Sequence, residues 1–236
     1  MQNKIQILCT KKISNSFIQL AEENNIYIDQ LNFIETSESF SEEIKTRILQ
    51  LSNQNISVIF TSSNAVNAVG KLVSLKTNWK IYCIEPATKK TVESIFINSS
   101  IAGSATDAAE LSKIIIENKS TGNVVFFCGN QRRDLLPDTL KTNGIDVEEL
   151  IVYQTKANSL HISKNYDGIL FFSPSAVKSF FTENKIQPET IIFTIGKTTA
   201  EEVTNFSNNA TIISDLPDTK KLIADVIKHF SAIKHI

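Results

Sequence analysis

The 236-residue chain is poor in the residues that mark several protein classes. Its three cysteines, Cys9, Cys83 and Cys128, are far apart with no CxxC pair, which leaves no disulfide framework and no cysteine metal site. They read as buried or half-buried thiols in a reducing compartment. Only seven glycines are present, and they form neither GxGxxG nor GxxxxGK[ST], so the dinucleotide and P-loop fingerprints are missing. His161, His229 and His235 have no metal-ligand spacing and no evident triad partner. The net charge of −1 comes without a cluster of basic residues, which argues against a nucleic-acid partner. No group of aspartates follows the first apolar run, "KIQILCTKK", as a phospho-receiver would need. No apolar run reaches the roughly 18 residues of a membrane span, and the one at the N-terminus is too short for a signal peptide. A cytoplasmic protein without a membrane partner is expected.

What the chain does contain is itself, twice. "VIFTSSNAV" (58–66) answers "ILFFSPSAV" (169–177), and the match continues at the same 111-residue offset to Asp107 on Asp218 and Leu111 on Leu222. "KIQILC" (4–9) answers "NVVFFC" (123–128) and "NIYIDQLNFIET" (25–36) answers "GIDVEELIVYQT" (144–155), both at an offset of 119. The difference of eight residues falls near 37–57, where an additional helical segment fits. Each copy alternates short β-rich runs with amphipathic stretches, the pattern of parallel sheets covered by helices. The first copy predicts strands at 4–9, 26–34, 57–61 and 80–84 and near 100, with helices at 13–24, 40–53, 64–75, 87–95 and 106–118. The second predicts strands at 123–128, 147–153, 168–172, 190–195 and 210–213, with helices at 134–143, 175–184, 198–205 and 218–232. The fold class is therefore α/β, as two similar doubly wound parallel-sheet domains. The repeat leaves open whether the domains are simply consecutive.

Hydroxyl residues gather where the strands end. Thr61, Ser62 and Ser63 follow one strand, and Ser173 and Ser175 follow its counterpart. Thr88, Thr198 and Thr199 start two further helices. In open α/β sheets ligands bind outside the carboxyl ends of the strands. Serine and threonine there serve as N-caps, or, with the unpaired N–H groups of a first helical turn, as an anion site. One helix terminus favours a negative charge by only about 0.3–1 kcal/mol, so several suit a large polyanion better than a small ion. Arg132 and Arg133, two of three arginines, stand between a strand end and a helix; they fit either solvated surface or carboxylate contact. Tyr153, in "IVYQT", reads as a strand aromatic with a hydrogen-bonded hydroxyl or as a catalytic group.

Four blocks, "VIFTSSNAVNAV", "FFCGNQRRDLLPDTLKTNGIDVEELIVYQT", "DGILFFSPSAVKSFF" and "FTIGKTTAEEV", resemble the uroporphyrinogen-III synthase family across most of the chain. The first block departs at Asn64, where the family often carries a basic residue. The resemblance implies a chain that crosses between domains, one comprising 1–34 with 156–236 and the other 37–153. They would be joined by a two-stranded linker near 34–37 and 153–156, with the active site in the cleft between them. It implies a lyase of porphyrin and heme biosynthesis that cyclises hydroxymethylbilane, a linear tetrapyrrole with eight carboxylates, losing water and inverting the last ring. No metal or organic cofactor is implied, and a monomer is expected. Tyr153 would assist departure of the hydroxyl. Ser173, Ser175, Lys197, Thr198 and Thr199 would hold carboxylates on one side, and Thr61, Ser62, Thr88 and Gly129 on the other, with Arg132 as a supporting contact. The rival reading is a two-lobed binding protein that holds a small anion without changing it. A nucleotide-using enzyme is disfavoured by the missing glycine loops.

Overall fold

A computed structural model of the chain describes residues 4–73, 77–118 and 124–233. The chain folds into two compact α/β units, one built from Met1–Glu35 and Lys156–Ile236, the other from Thr36–Thr155.

The first unit, hereafter unit 1, contains β1 (Ile5–Cys9), α1 (Asn15–Glu22), β2 (Ile26–Gln30), β9 (Gly168–Phe171), α7 (Pro174–Glu183), β10 (Ile191–Thr194), α8 (Lys197–Thr204), β11 (Thr211–Ile213) and α9 (Thr219–Ile233). Its sheet runs β11-β10-β9-β1-β2, with every neighbouring pair parallel. Unit 2 contains α2 (Glu42–Ser52), β4 (Ser57–Phe60), α3 (Ser63–Gly70), β5 (Lys80–Ile84), α4 (Ala87–Ile95), β6 (Ser100–Ala105), α5 (Ala108–Glu117), β7 (Val124–Gly129) and α6 (Leu135–Thr142). Two strands carry the chain between the units: β3 (Ile34–Glu38), which passes the boundary after Glu35, and β8 (Val147–Ala157), which passes it after Thr155. They neighbour each other at the edge of a sheet ordered β3-β8-β7-β4-β5-β6.

The central strands read as short continuous apolar runs because both faces are covered. Alternation then sends successive side chains to opposite layers. In unit 2, Val58 and Phe60 join the core beneath α2, α3 and α4, whereas Ile59 packs on the α5 and α6 side. Phe127 follows Phe60 and stacks on it with ring centroids 5.3 Å apart. In unit 1, Ile7 and Leu170 face α1 and α9, and Leu8 and Phe171 face α7 and α8. Fully burying one such side chain contributes roughly 1.5–3 kcal/mol, so the two layers of each unit dominate its stability. All three cysteines lie within these layers, and burial pushes each thiol up to about 11.

Local signals end the helices as their residues predict. Asn143 and Gly144 close α6: Gly144 takes φ +76°, its N–H reaches the Lys141 carbonyl, and the Ile145 N–H reaches that of Leu140. The helix expected at 64–75 stops earlier, at Gly70, with the Leu72 N–H turning back to the Val69 carbonyl; residues 74 and 75 lie outside the described residues. Residue 123, expected to open a strand, lies outside them too. One expectation is corrected: 26–34 is not a single strand. Ile26–Gln30 pairs with β1, and a new strand in the other sheet begins at Ile34. The break between them is held by distant partners, as the Asn32 carbonyl accepts from the Asn158 side chain at 2.8 Å and its Oδ1 accepts from the Lys12 N–H at 3.0 Å.

Candidate active site at the strand ends

Within unit 2, five strands follow the chain in the order 3-2-1-4-5 across the sheet, so the winding direction reverses between β4 and β7. The carboxyl ends flanking a reversal are where a doubly wound sheet opens a binding crevice. Here they present Thr61, Ser62 and Ser63 after β4, and Gly129 as the last residue of β7 with Asn130 after it.

Ser62 is the N-cap of α3. Its backbone is extended and its Oγ accepts from the Asn64 N–H at 3.1 Å. Its side chain is also a hydrogen-bond partner of the Tyr153 phenol. Tyr153 lies on β8 directly opposite Gly129, just past a shift in register between Cys128 and Gly129. The glycine is required there because the tyrosine ring occupies the space of a side chain. A Cβ on Gly129 would stand 2.6 Å from Cε2 and 2.8 Å from the phenol oxygen of Tyr153. Burial chiefly raises the phenol's pKa, with Cys128 adding to it and the Ser62 hydrogen bond opposing it. The group is thus a neutral O–H at physiological pH. With Ser62 as the donor in that pair, the tyrosine's own proton is left to be given to something else.

Beside Tyr153 a cavity of about 790 Å³ is lined by Thr36, Glu38, Asn64, Asn67 and Lys71. The last three share one face of α3, at spacings of three and four residues. The intervening Ala65, Val66, Ala68 and Val69 are buried. Lys71 forms an ion pair with Glu38. The helical period alone would have exposed this polar face, although Asn67 and Lys71 carry no motif.

Unit 1 has its own reversal, between β1 and β9, because its strands follow the chain as 2-1-3-4-5. Thr10 closes that end, its Oγ1 donating to the Leu170 carbonyl at 2.8 Å. Ser173 caps α7, accepting from the Ala176 N–H at 3.2 Å, with the Ser175 hydroxyl 3.1 Å away and Pro174 in the first turn. Lys11 stands with Nζ 4.1 Å from the centre of the Phe172 ring. Burial lowers its pKa, and Cys9 partly offsets that. Sequence reasoning passed over Lys11. The signal was the repeat itself, since the 119-residue offset lays Cys9-Thr10-Lys11 on Cys128-Gly129-Asn130.

A sequence profile described as uroporphyrinogen-III synthase HemD matches residues 15–224. The chain belongs to the uroporphyrinogen-III synthase family. It is 24% identical to the uroporphyrinogen-III synthase of Saccharomyces cerevisiae over 254 aligned positions, covering 94% of this chain and 90% of the yeast protein. Its fold matches that of the Helicobacter pylori uroporphyrinogen-III synthetase, with a TM-score of 0.67 and 19% identity over 95% of this chain and 99% of that one. A mutant uroporphyrinogen III synthase from Thermus thermophilus gives 0.69 with 12% identity, covering 98% and 100%.

Against the synthase resemblance, the structure brings Tyr153, Ser62 and Gly129 into direct contact and sets Ser173 beside Ser175. Thr61 is half-buried next to Ser62, and Lys197 and Thr198 are exposed on the first turn of α8. Thr88 and Thr199 are 5% and 3% exposed, so their side chains belong to the packing under α4 and α8. The Thr199 N–H is also occupied, donating to the Gly196 carbonyl at 3.1 Å. Arg132 is ion-paired with both Asp134 and Glu149, so its guanidinium already holds two carboxylates of its own unit. Among the described residues, no helix is long and apolar enough to cross a membrane.

Proposed function

We propose that the protein converts hydroxymethylbilane to uroporphyrinogen III, closing the ring with inversion of the last pyrrole and loss of water. The observation that carries the assignment of roles is the Tyr153 phenol. It is neutral, seated on Gly129, and hydrogen-bonded to a serine at a helix N-terminus. The partial positive charge of that terminus polarises Ser62, which in turn makes the phenol a better donor. Tyr153 then gives its proton to the hydroxymethyl oxygen, which leaves as water. The electrons of the pyrrole chain stabilise the carbocation left behind. Attack on it by the substituted carbon of the terminal pyrrole gives a spiro intermediate. One of that carbon's bonds breaks and re-forms at the neighbouring position, and loss of a proton restores aromaticity and balances the proton spent.

The reactivity comes from the substrate, and the protein supplies one proton and the geometry of attack. Each unit offers its own strand ends to the substrate's carboxylates. Ser173, Ser175, Lys197 and Thr198, joined by Lys11, serve in unit 1, and Thr61, Ser62, Asn64 and Lys71 serve in unit 2. The reaction is a cyclising dehydration, a lyase step that needs no metal or organic cofactor, and the protein acts on it as a cytoplasmic monomer. The test is a product assay in which freshly generated hydroxymethylbilane is incubated with and without protein, then oxidised and separated by isomer. Spontaneous closure yields the uninverted type I ring. The expected result is strong enrichment of type III. Type I alone, from folded protein, would leave a two-lobed anion-binding protein as the better account.

A further inference from the structure

The register shift that lets Tyr153 lie on Gly129 also interrupts the ladder between β7 and β8. Beyond Tyr153 the β7 side of β8 has no strand partner among the described residues, and Asn130 takes over there. The Asn130 N–H donates to the Tyr153 carbonyl at 3.2 Å. The Asn130 Oδ1 accepts from the Thr155 N–H at 2.8 Å, and its Nδ2 donates to the Thr155 carbonyl at 3.3 Å. A carboxamide carries the same donor and acceptor as a peptide group, so the side chain stands in for the missing stretch of strand. Gln131 adds a donor to the same Thr155 carbonyl at 3.1 Å. The equivalent place in unit 1, Lys11, has no carboxamide to do this; there the Leu31 N–H donates to the Cys9 carbonyl and the Phe33 N–H to that of Thr10, and the Asn32 carbonyl accepts from the Asn158 side chain.

We propose that Asn130 is the positioning residue for Tyr153. By fixing the backbone on both sides of residue 154, it holds the phenol against Ser62 and at one height over Gly129. Asn130 touches neither substrate nor the transferred proton and acts through the tyrosine. The proposal rests on Tyr153 being the proton donor.

The experiment pairs kinetics with a spectroscopic readout that needs no substrate. Asn130→Ala and Asn130→Asp are made in the native sequence and again with Tyr153→Phe, and the protein is labelled with tyrosine carrying 13C at Cζ. The chain has four tyrosines, and the Tyr153 signal is the one missing in Tyr153→Phe. Asn130→Ala is expected to move that signal while leaving those of Tyr27, Tyr82 and Tyr166 in place. It is expected to lower kcat about tenfold with KM within about twofold, and to cost nothing further once Tyr153 is phenylalanine. Asn130→Asp keeps the acceptor for the Thr155 N–H but sets a carboxylate against the Thr155 carbonyl. It should move the same signal, and it carries the test if the alanine variant does not fold. An unmoved Tyr153 signal overturns the proposal, as does an equal fall in kcat in both backgrounds. If the native protein makes only the type I ring, the proposed function fails while the tyrosine signal still decides what Asn130 does.

Discussion

Units 1 and 2 carry one sheet built from different parts of the chain. In unit 1 the two strands of the 119-residue repeat come first and the three of the 111-residue repeat follow, giving 2-1-3-4-5. In unit 2 the three come first, giving 3-2-1-4-5. Both orders place the reversal between equivalent strands, β1 with β9 and β4 with β7. What differs is the chemistry set on that common frame. Unit 1 presents a lysine over an aromatic ring, with a pair of serine hydroxyls and a second lysine at the helix starts. Unit 2 presents a neutral phenol supported by a hydroxyl and a glycine. On the proposed reading, one end holds charge and the other moves a proton. On that reading a duplicated sheet supplies two anion-facing ends, and divergence of a few residues turns one of them into the reacting end.

That division of labour breaks first at Tyr153. Tyr153→Phe keeps the ring on Gly129 and removes only the proton, so kcat should fall about 100-fold, the lower range for loss of a general acid, with KM nearly unchanged. Residual turnover is expected because the substrate ionises by itself. Unaltered kcat in a steady-state assay would take the phenol out of the mechanism and erase the contrast between the units.

Gly129→Ala attacks the seat instead of the donor. The new methyl meets the ring, so the phenol must move by a few tenths of an ångström or more, and about a tenfold fall in kcat is expected. A control glycine in unit 1, Gly196→Ala, meets nothing within 4 Å and the backbone there is extended, so its thermal midpoint should stay that of the native protein. Melting curves and kcat on the two variants sharpen the comparison. An active Gly129→Ala protein with native kinetics would mean that the ring's height is not held.

The serine caps give a smaller and more informative pair. Ser62→Ala and Ser173→Ala each remove an N-cap and should each cost about 1 kcal/mol of stability. Their kinetic effects should separate: Ser62→Ala lowers kcat a few-fold through Tyr153, whereas Ser173→Ala with Ser175→Ala raises KM. Equal losses of stability with no change in either constant would reduce both serines to plain caps.

How much of this could be read in the sequence depends on the distance of the partners. The strands were legible because buried β-runs stand out between amphipathic stretches, and the two repeat offsets pair the strands that occupy equivalent places in the two sheets. The break after Gln30 was not, since apolar residues continue through Ile26, Ile28, Leu31, Phe33 and Ile34 and the bonds that turn the chain come from Lys12 and Asn158. Ser62 and Ser173 were legible as strand-ending hydroxyls. Gly129 was visible as a glycine at a strand end, but its role requires knowing that a tyrosine 24 residues later lies across from it. Arg132 read as solvated surface or a substrate contact because only one of its carboxylates, Asp134, is close in sequence; Glu149 arrives from the neighbouring strand.

The smallest expected difference between the units appears in acid. Each unit ties two elements together with one carboxylate. In unit 2, Glu148 accepts two hydrogen bonds from Arg47, at 2.7 and 2.8 Å, which hold its carboxyl below the usual range against a smaller effect of burial. In unit 1, burial is the largest influence on Asp29 and pushes its carboxyl up. Hydrogen bonds from Lys164 at 2.6 Å and Tyr166 at 2.9 Å together bring it lower. Both carboxyls are depressed on folding, so each contributes stability that is fully present above its unfolded value near 4 and is lost as pH falls through the folded one. Partly exposed pairs of this kind are worth about 0.2–1 kcal/mol. Hydrogen exchange compared at pH 6 and pH 3 should therefore show modest loss of protection in β1 and β2 and in β7 and β8. Asp29→Asn should abolish the pH dependence in the first pair of strands alone. Loss of it in both would mean that the two units unfold together in acid, and the ion pairs could no longer be assigned to one unit each.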